Sequence, residues 1–125
     1  MILEEAINKA ADWWIAMIRD GRWDNGDAST EIFHSFAKHM APKPTEEDYA
    51  SARECLVELL KEERNQHCLY SDYGSPQMDR KFKEKGCKLD SLLHCPQKSG
   101  TKIEEVKGDY RVLAKSGYGG QWQKI

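Results

Sequence analysis

Apolar residues near the start of the chain recur at intervals of three and four. Leu3, Ile7, Ala10, Trp14 and Ile18 form one stripe, and Ile2, Ala6, Trp13 and Met17 widen it. That period predicts an amphipathic helix over about 2–19. Its adjacent tryptophans are a large apolar load, to be covered either by the rest of the domain or by a partner. Residues 20–28 are polar, with two glycines and an Asn25-Gly26 pair, and read as a loop. Ser29 or Asp27 caps a second helix over about 29–40, with Ile32, Phe33, Phe36, Ala37 and Met40 inward, ended by Pro42 and Pro44. A third helix spans about 45–64. Its opening, Thr45-Glu46-Glu47-Asp48, has the form of a capping box with Asp in the usual place of Glu. The acidic first turn suits the positive end of the helix dipole. Tyr49, Ala52, Cys55, Leu56, Leu59 and Leu60 line its apolar face, which makes Cys55 a core cysteine.

The pattern then changes. Cys68 to Tyr73 alternates and stops at Gly74, as a short strand does. Ser75-Pro76 starts a fourth helix over about 75–85, with Met78 and Phe82 inward and Gly86 as terminator. Leu89, Leu92 and Leu93 predict a helical turn before Pro96. Lys102–Val106 and Tyr110–Lys115 read as two strands joined through Lys107-Gly108-Asp109. The remainder, Ser116 to Trp122, is a glycine-aromatic tail. Helices followed by a small antiparallel sheet make an α+β fold, one domain over residues 1–125.

Composition narrows the classes. Of 125 residues, 39% are hydrophobic and 32% charged, so the core is thin. No stretch approaches the roughly 20 apolar residues of a membrane span. Met1-Ile2-Leu3-Glu4-Glu5 lacks the basic and apolar regions of a secretory leader. A membrane protein, a secreted precursor, a disordered chain and a strongly basic nucleic-acid binder are therefore not expected. The net charge of −2 conceals a cancellation. Residues 1–64 hold 14 Asp/Glu against 8 Lys/Arg, a net of −6, whereas residues 65–125 hold 7 against 11, a net of +4. An acidic helical half joined to a basic, cysteine-containing half points to an interaction protein.

The four cysteines, in a chain without a leader, are expected as thiols. Cys68, Cys87, His94 and Cys95 form a candidate structural zinc set, since Cys3His is a common tetrahedral combination. His67 is an alternative to His94. Paired cysteines two residues apart are absent, so ligand type carries this expectation rather than a motif. The loop from Asp20 is not a calcium loop, because Arg22 and Asn25 stand where an oxygen ligand and a glycine are needed. No nucleophile elbow, phosphate loop, dinucleotide fingerprint or zinc-protease helix occurs. No third group orients a Cys-His pair for catalysis, and an enzyme is not expected. Arg80, Lys81, Lys83, Lys85 and Lys88 make a basic helix face.

Several short motifs resemble a family. Ala11-Asp12-Trp13-Trp14 precedes Asp24-Asn25-Gly26-Asp27, then Asp72-Tyr73-Gly74-Ser75-Pro76, then Gly117-Tyr118-Gly119. This order is similar to small uncharacterised proteins carried by phages and mobile elements of Firmicutes. Accessory proteins of such elements include anti-CRISPR proteins against type II RNA-guided nucleases. The resemblance implies a cytoplasmic inhibitor, acting in the bacterial host cell, that binds a host defence protein and hinders nucleic-acid loading. On that reading Asp20, Asp24, Asp27, Glu46, Glu47 and Asp48 imitate phosphates, and direct nucleic-acid binding is not expected. The alternative reading is a zinc-stapled nucleic-acid-binding or regulatory module with Lys81, Lys85, Lys88 and Lys102 in one patch.

Overall fold

A computed structural model describes residues 1–20, 43–71, 76–90, 95, 98–117 and 120–125. The first helix, α1 (Leu3–Asp20), forms where the apolar period places it. Ala6, Ile7, Ala10, Ala11, Trp14 and Ile18 are buried along one stripe. Trp14 is wholly buried, and its indole N–H donates to Thr101 Oγ1 at 3.0 Å, so the polar tip keeps a partner inside the core. Trp13 is half-buried and packs edge-on to Trp14, ring centres 5.2 Å apart. Both tryptophans thus serve the core, Trp14 entirely and Trp13 in part.

The helix expected over about 29–40, and the loop before it, lie outside the described residues. The next described element, α2 (Glu46–Lys61), begins with the reciprocal cap that its sequence predicts. Asp48 N–H donates to Thr45 Oγ1 (3.2 Å), and Thr45 N–H donates to Asp48 Oδ2 (3.0 Å). Ala52, Cys55, Leu56, Leu59 and Leu60 are its buried face. The helix stops at Lys61, short of the expected 64. Glu62 turns extended, a 3-10 turn follows at Glu63–Asn65, and Gln66 and His67 both take left-handed φ, 53° and 58°. The end is held by His67, whose Nδ1–H donates to the Leu60 carbonyl at 2.8 Å. Terminal helix carbonyls need such a donor.

Strand β1 covers Leu69–Ser71, and the rest of the expected strand, to Tyr73, lies outside the described residues. Helix α3 (Pro76–Glu84) buries Met78 and Phe82, one turn apart. It ends in a Schellman motif: Gly86, at φ 70°, donates to Lys83 O (3.1 Å), and Cys87 N–H donates to Phe82 O (2.8 Å). Strands β2 (Ser99–Val106), β3 (Asp109–Lys115) and β4 (Gln123–Lys124) complete an antiparallel sheet in the order β1-β2-β3-β4. Lys107 and Gly108, both at positive φ (54° and 80°), form the two-residue turn whose twist matches the flanking strands. The fold is α+β, with the sheet in the C-terminal half.

Two elements differ from the sequence pattern. β2 starts at Ser99 rather than Lys102, and the glycine-aromatic tail contributes β4. Ser99, Gly100 and Thr101 are too polar to read as a strand, yet they are buried under specific bonds. Thr101 accepts from Trp14, and Ser99 Oγ accepts from Gly117 N–H at 2.9 Å.

Strand residues alternate sides. Leu69, Thr101, Ile103, Val112 and Ala114 are buried on the inner side, where Trp14, Leu56, Leu60 and Phe82 join one core cluster with most of them. Tyr70, Gly100, Lys102, Glu104, Arg111, Leu113 and Lys115 fall on the other side. Among the described residues, no helix is long and apolar enough to cross a membrane.

Candidate functional site

Three groups of side chains carry the expected chemistry. The first is the acidic turn of α2. Glu46, Glu47 and Asp48 follow one another there, but the fold treats them differently. Glu46 receives both guanidinium nitrogens of Arg19, at 3.0 and 3.1 Å, and Arg19 also lies 4.6 Å from the Tyr49 ring centre. Asp48 is committed to the cap, and the Thr45 backbone N–H holds its carboxyl below the ordinary value of 3.8. Glu47 is exposed and has no ion pair among the described residues. Asp20 is the last residue of α1. Asp24 and Asp27 lie outside the described residues.

The second group is the cysteines. Cys68 precedes β1, is half-buried and donates to Gln66 O at 3.6 Å. Burial raises its pKa, while Lys102 and the Ile103 backbone pull it back, so its surroundings are strand β2. Cys87 is placed by the Schellman turn, half-buried, and donates to Asp48 O at 3.5 Å. Cys95 is fully buried, and burial raises its pKa well above the ordinary thiol value, with further push from Asp79, Asp90 and Cys87. Cys55, on α2, is pushed up to about 11 by burial and also feels Cys87. Cys87 is thus felt by both Cys55 and Cys95, whereas Cys68 lies against the sheet. Among the described residues no group of three or more His, Cys, Asp or Glu is arranged to hold a metal ion. His94 lies outside them, and His67 is tied to the end of α2. Of the expected zinc set, Cys68, Cys87 and Cys95 lie among the described residues and His94 outside them. Cys55, read from its stripe as plain core, feels Cys87, a neighbour that sequence spacing did not bring to it.

The third group is the basic face of α3. Lys85 Nζ lies 3.0 Å from Glu58 Oε1, and Lys81 Nζ lies 3.5 Å from Glu58 Oε2 and 3.9 Å from Glu84. The hydrogen bond from Lys85 holds Glu58 below its usual value, and the same bond raises Lys85. The basic helix thus lies against acidic α2, and the opposite charges of the two halves meet there. Lys102 does not join this patch. It is on the outer side of the sheet, with Nζ 4.6 Å from the Trp122 ring centre and 3.6 Å from Glu104. Arg111 grips the same Glu104 carboxylate at 2.6 and 2.9 Å and keeps it below its ordinary 4.5.

That outer side also holds an aromatic pair the sequence pattern did not single out. Tyr70 and Trp122 meet edge-on with ring centres 5.7 Å apart. Its only local signals were an aromatic at an outward strand position and a glycine, Gly100, inside a strand.

Comparison with protein-family models, with curated proteins and with solved structures gives no match.

Proposed function

We propose that the protein works by occupying a partner rather than by performing a reaction. It is an inhibitor carried by a phage or mobile element that binds a host defence protein in the bacterial cytoplasm. In its most concrete form it is an anti-CRISPR protein that hinders nucleic-acid loading of a type II nuclease. The observation that supports this reading is the solvent-facing row of carboxylates opening α2. Glu46 and Glu47 are exposed, and Asp48 is kept ionised by Thr45. A channel that grips a heteroduplex through its backbone is basic and complements such a row. Glu47 is the central contact, because Arg19 and Thr45 already engage its neighbours. Asp20, Asp24 and Asp27 are further candidate contacts on this reading.

The test is target-DNA cleavage by type II nucleases with the protein added before guide loading. Inhibition is expected, and Glu47→Lys is expected to weaken it at least tenfold while the far-UV spectrum stays unchanged. Complete cleavage at large molar excess across several such nucleases overturns the reading. A structural zinc held by Cys68, Cys87, His94 and Cys95 is proposed alongside it. Protein purified without added metal then contains about one zinc per chain, and Cys87→Ser lowers both metal content and stability. An unchanged melting curve in chelator ends that part.

A further inference from the structure

The end of α2, the 3-10 turn after it and α3 line a cavity of about 160 Å³. Gln77, Arg80, Lys81 and Glu84 recur on α3 at intervals of three and four, so one stripe of that helix makes a wall. Glu62 and Arg64 come from the turn. Leu59, buried near the end of α2, is the apolar part of the lining.

Most charges around this cavity are matched within the molecule. Arg64 holds Glu62 at 2.9 Å, and Lys81 lies 3.5 Å from Glu58. Two charges are left short. Arg80 has no hydrogen bond or ion pair among the described residues. Glu84 meets the Lys81 ammonium there at a loose 3.9 Å, and that ammonium is shared with Glu58. Arg80 and Glu84 stand one turn apart on the same stripe, yet they do not pair with each other. An arginine one turn before a glutamate is the less favourable order on a helix. The cavity therefore presents a guanidinium and a carboxylate side by side, each in want of a counter-ion.

We propose that this cavity binds a free α-amino acid, with the ligand's carboxylate on Arg80 and its ammonium on Glu84. The planar guanidinium offers parallel N–H donors that match a carboxylate. An ammonium offers donors alone, which suits a carboxylate such as Glu84. Gln77 adds an amide on the same wall, and Leu59 gives the ligand's side chain an apolar contact. Size and charge argue against other classes. Pockets for drug-sized ligands run from roughly 300 to 1,000 Å³, so a nucleotide is too large. A phosphate dianion meets the carboxylates of Glu62 and Glu84 on the cavity wall, and an uncharged sugar leaves both Arg80 and Glu84 unmatched. None of the carboxylates that the inhibitor reading turns toward a partner is used here.

The test follows the backbone amide resonances of isotope-labelled protein while each standard amino acid is added separately, up to about 10 mM. At least one of them shifts the resonances of Leu59, Arg80 and Glu84 saturably, with a Kd of about 1 mM, the strength that so few heavy atoms supply. Propionate, which has the carboxylate alone, and ethylamine, which has the ammonium alone, bind about tenfold more weakly than that amino acid. Arg80→Gln and Glu84→Gln each weaken binding about tenfold, and both keep the wild-type circular dichroism because the two side chains are exposed. Lys83→Gln, on the same helix but outside the cavity, leaves binding unchanged. Absence of a saturable shift with every amino acid overturns the proposal. So do propionate binding as tightly as the amino acid, unweakened binding by either glutamine variant, or shifts confined to residues outside the cavity. If Arg80→Gln does not fold, Arg80→Lys decides the matter. It keeps the charge and loses the paired donors, and unweakened binding by it also overturns the proposal.

Discussion

The two sides of the sheet are made from the same strands and differ in almost everything else. On the inner side, Leu69, Ile103 and Val112 are buried, and the Thr101 hydroxyl is matched to the Trp14 indole. On the outer side, rings and charges stand in alternate positions of the same strands, with Tyr70 beside Leu69 and Lys102 beside Thr101 and Ile103. The inner side pairs Thr101 with Trp14 and Ser99 with the Gly117 N–H, while the buried Ser71 hydroxyl there has no hydrogen-bond partner among the described residues. The outer side leaves Lys115 and Lys124 without an ion pair among the described residues. The comparison with α2 and α3 points the same way, because there Glu58 faces Lys81 and Lys85. Charge counted along the chain is a poor guide to charge available to a partner; the internal pairing decides.

Substitutions on the two sides should therefore differ sharply in what they cost in stability. The largest effect is expected from Trp14→Ala on the inner side, a loss of about 3–5 kcal/mol measured by urea unfolding. Thr101→Val keeps the shape and removes only the acceptor of the Trp14 N–H, and should cost about 1–3 kcal/mol. A Trp14→Ala protein with wild-type stability would erase the distinction between the two sides. Glu104→Gln, on the outer side, should lower the urea midpoint at neutral pH only slightly, because the Arg111 pair it removes is partly exposed to solvent. The smallest effect is its pH dependence. Arg111 holds the Glu104 carboxyl below 4.5, so this contribution is complete above 4.5 and is lost as pH falls through the lowered value. Glu104→Gln should flatten the stability-against-pH curve in that window, and an unaltered curve would show that the Arg111 pair is not felt.

The elements set by local chemistry were legible in the sequence. The stripe of α1, the Thr45–Asp48 cap, the Gly86 stop and the Lys107-Gly108 turn each depend on residues within one or two turns of chain. What was not legible depends on distant partners. Ser99 to Thr101 form a strand because Trp14 and Gly117 supply their bonds. His67 is a helix cap because the chain turns left-handed at Gln66 and His67. Tyr70 and Trp122 become one surface only when β1 and the tail approach from opposite ends of the sheet half, and no spacing rule encodes that. The acidic row at Glu46, Glu47 and Asp48 was visible as composition, but its division into a bound, a free and a capping carboxylate was not.

The bond between Trp14 and Thr101 spans 87 positions of the chain, and this has a consequence during synthesis. The hairpin of β2 and β3 is local and closes on the microsecond scale once made. Helix α1, by contrast, leaves the ribosome first and waits for its partner strand through roughly 4 to 17 seconds of elongation. Throughout that time its tryptophan stripe has no sheet to cover it. A nascent chain of this protein is thus most exposed to aggregation and to chaperone capture at its beginning, and is released from both only when its final quarter emerges.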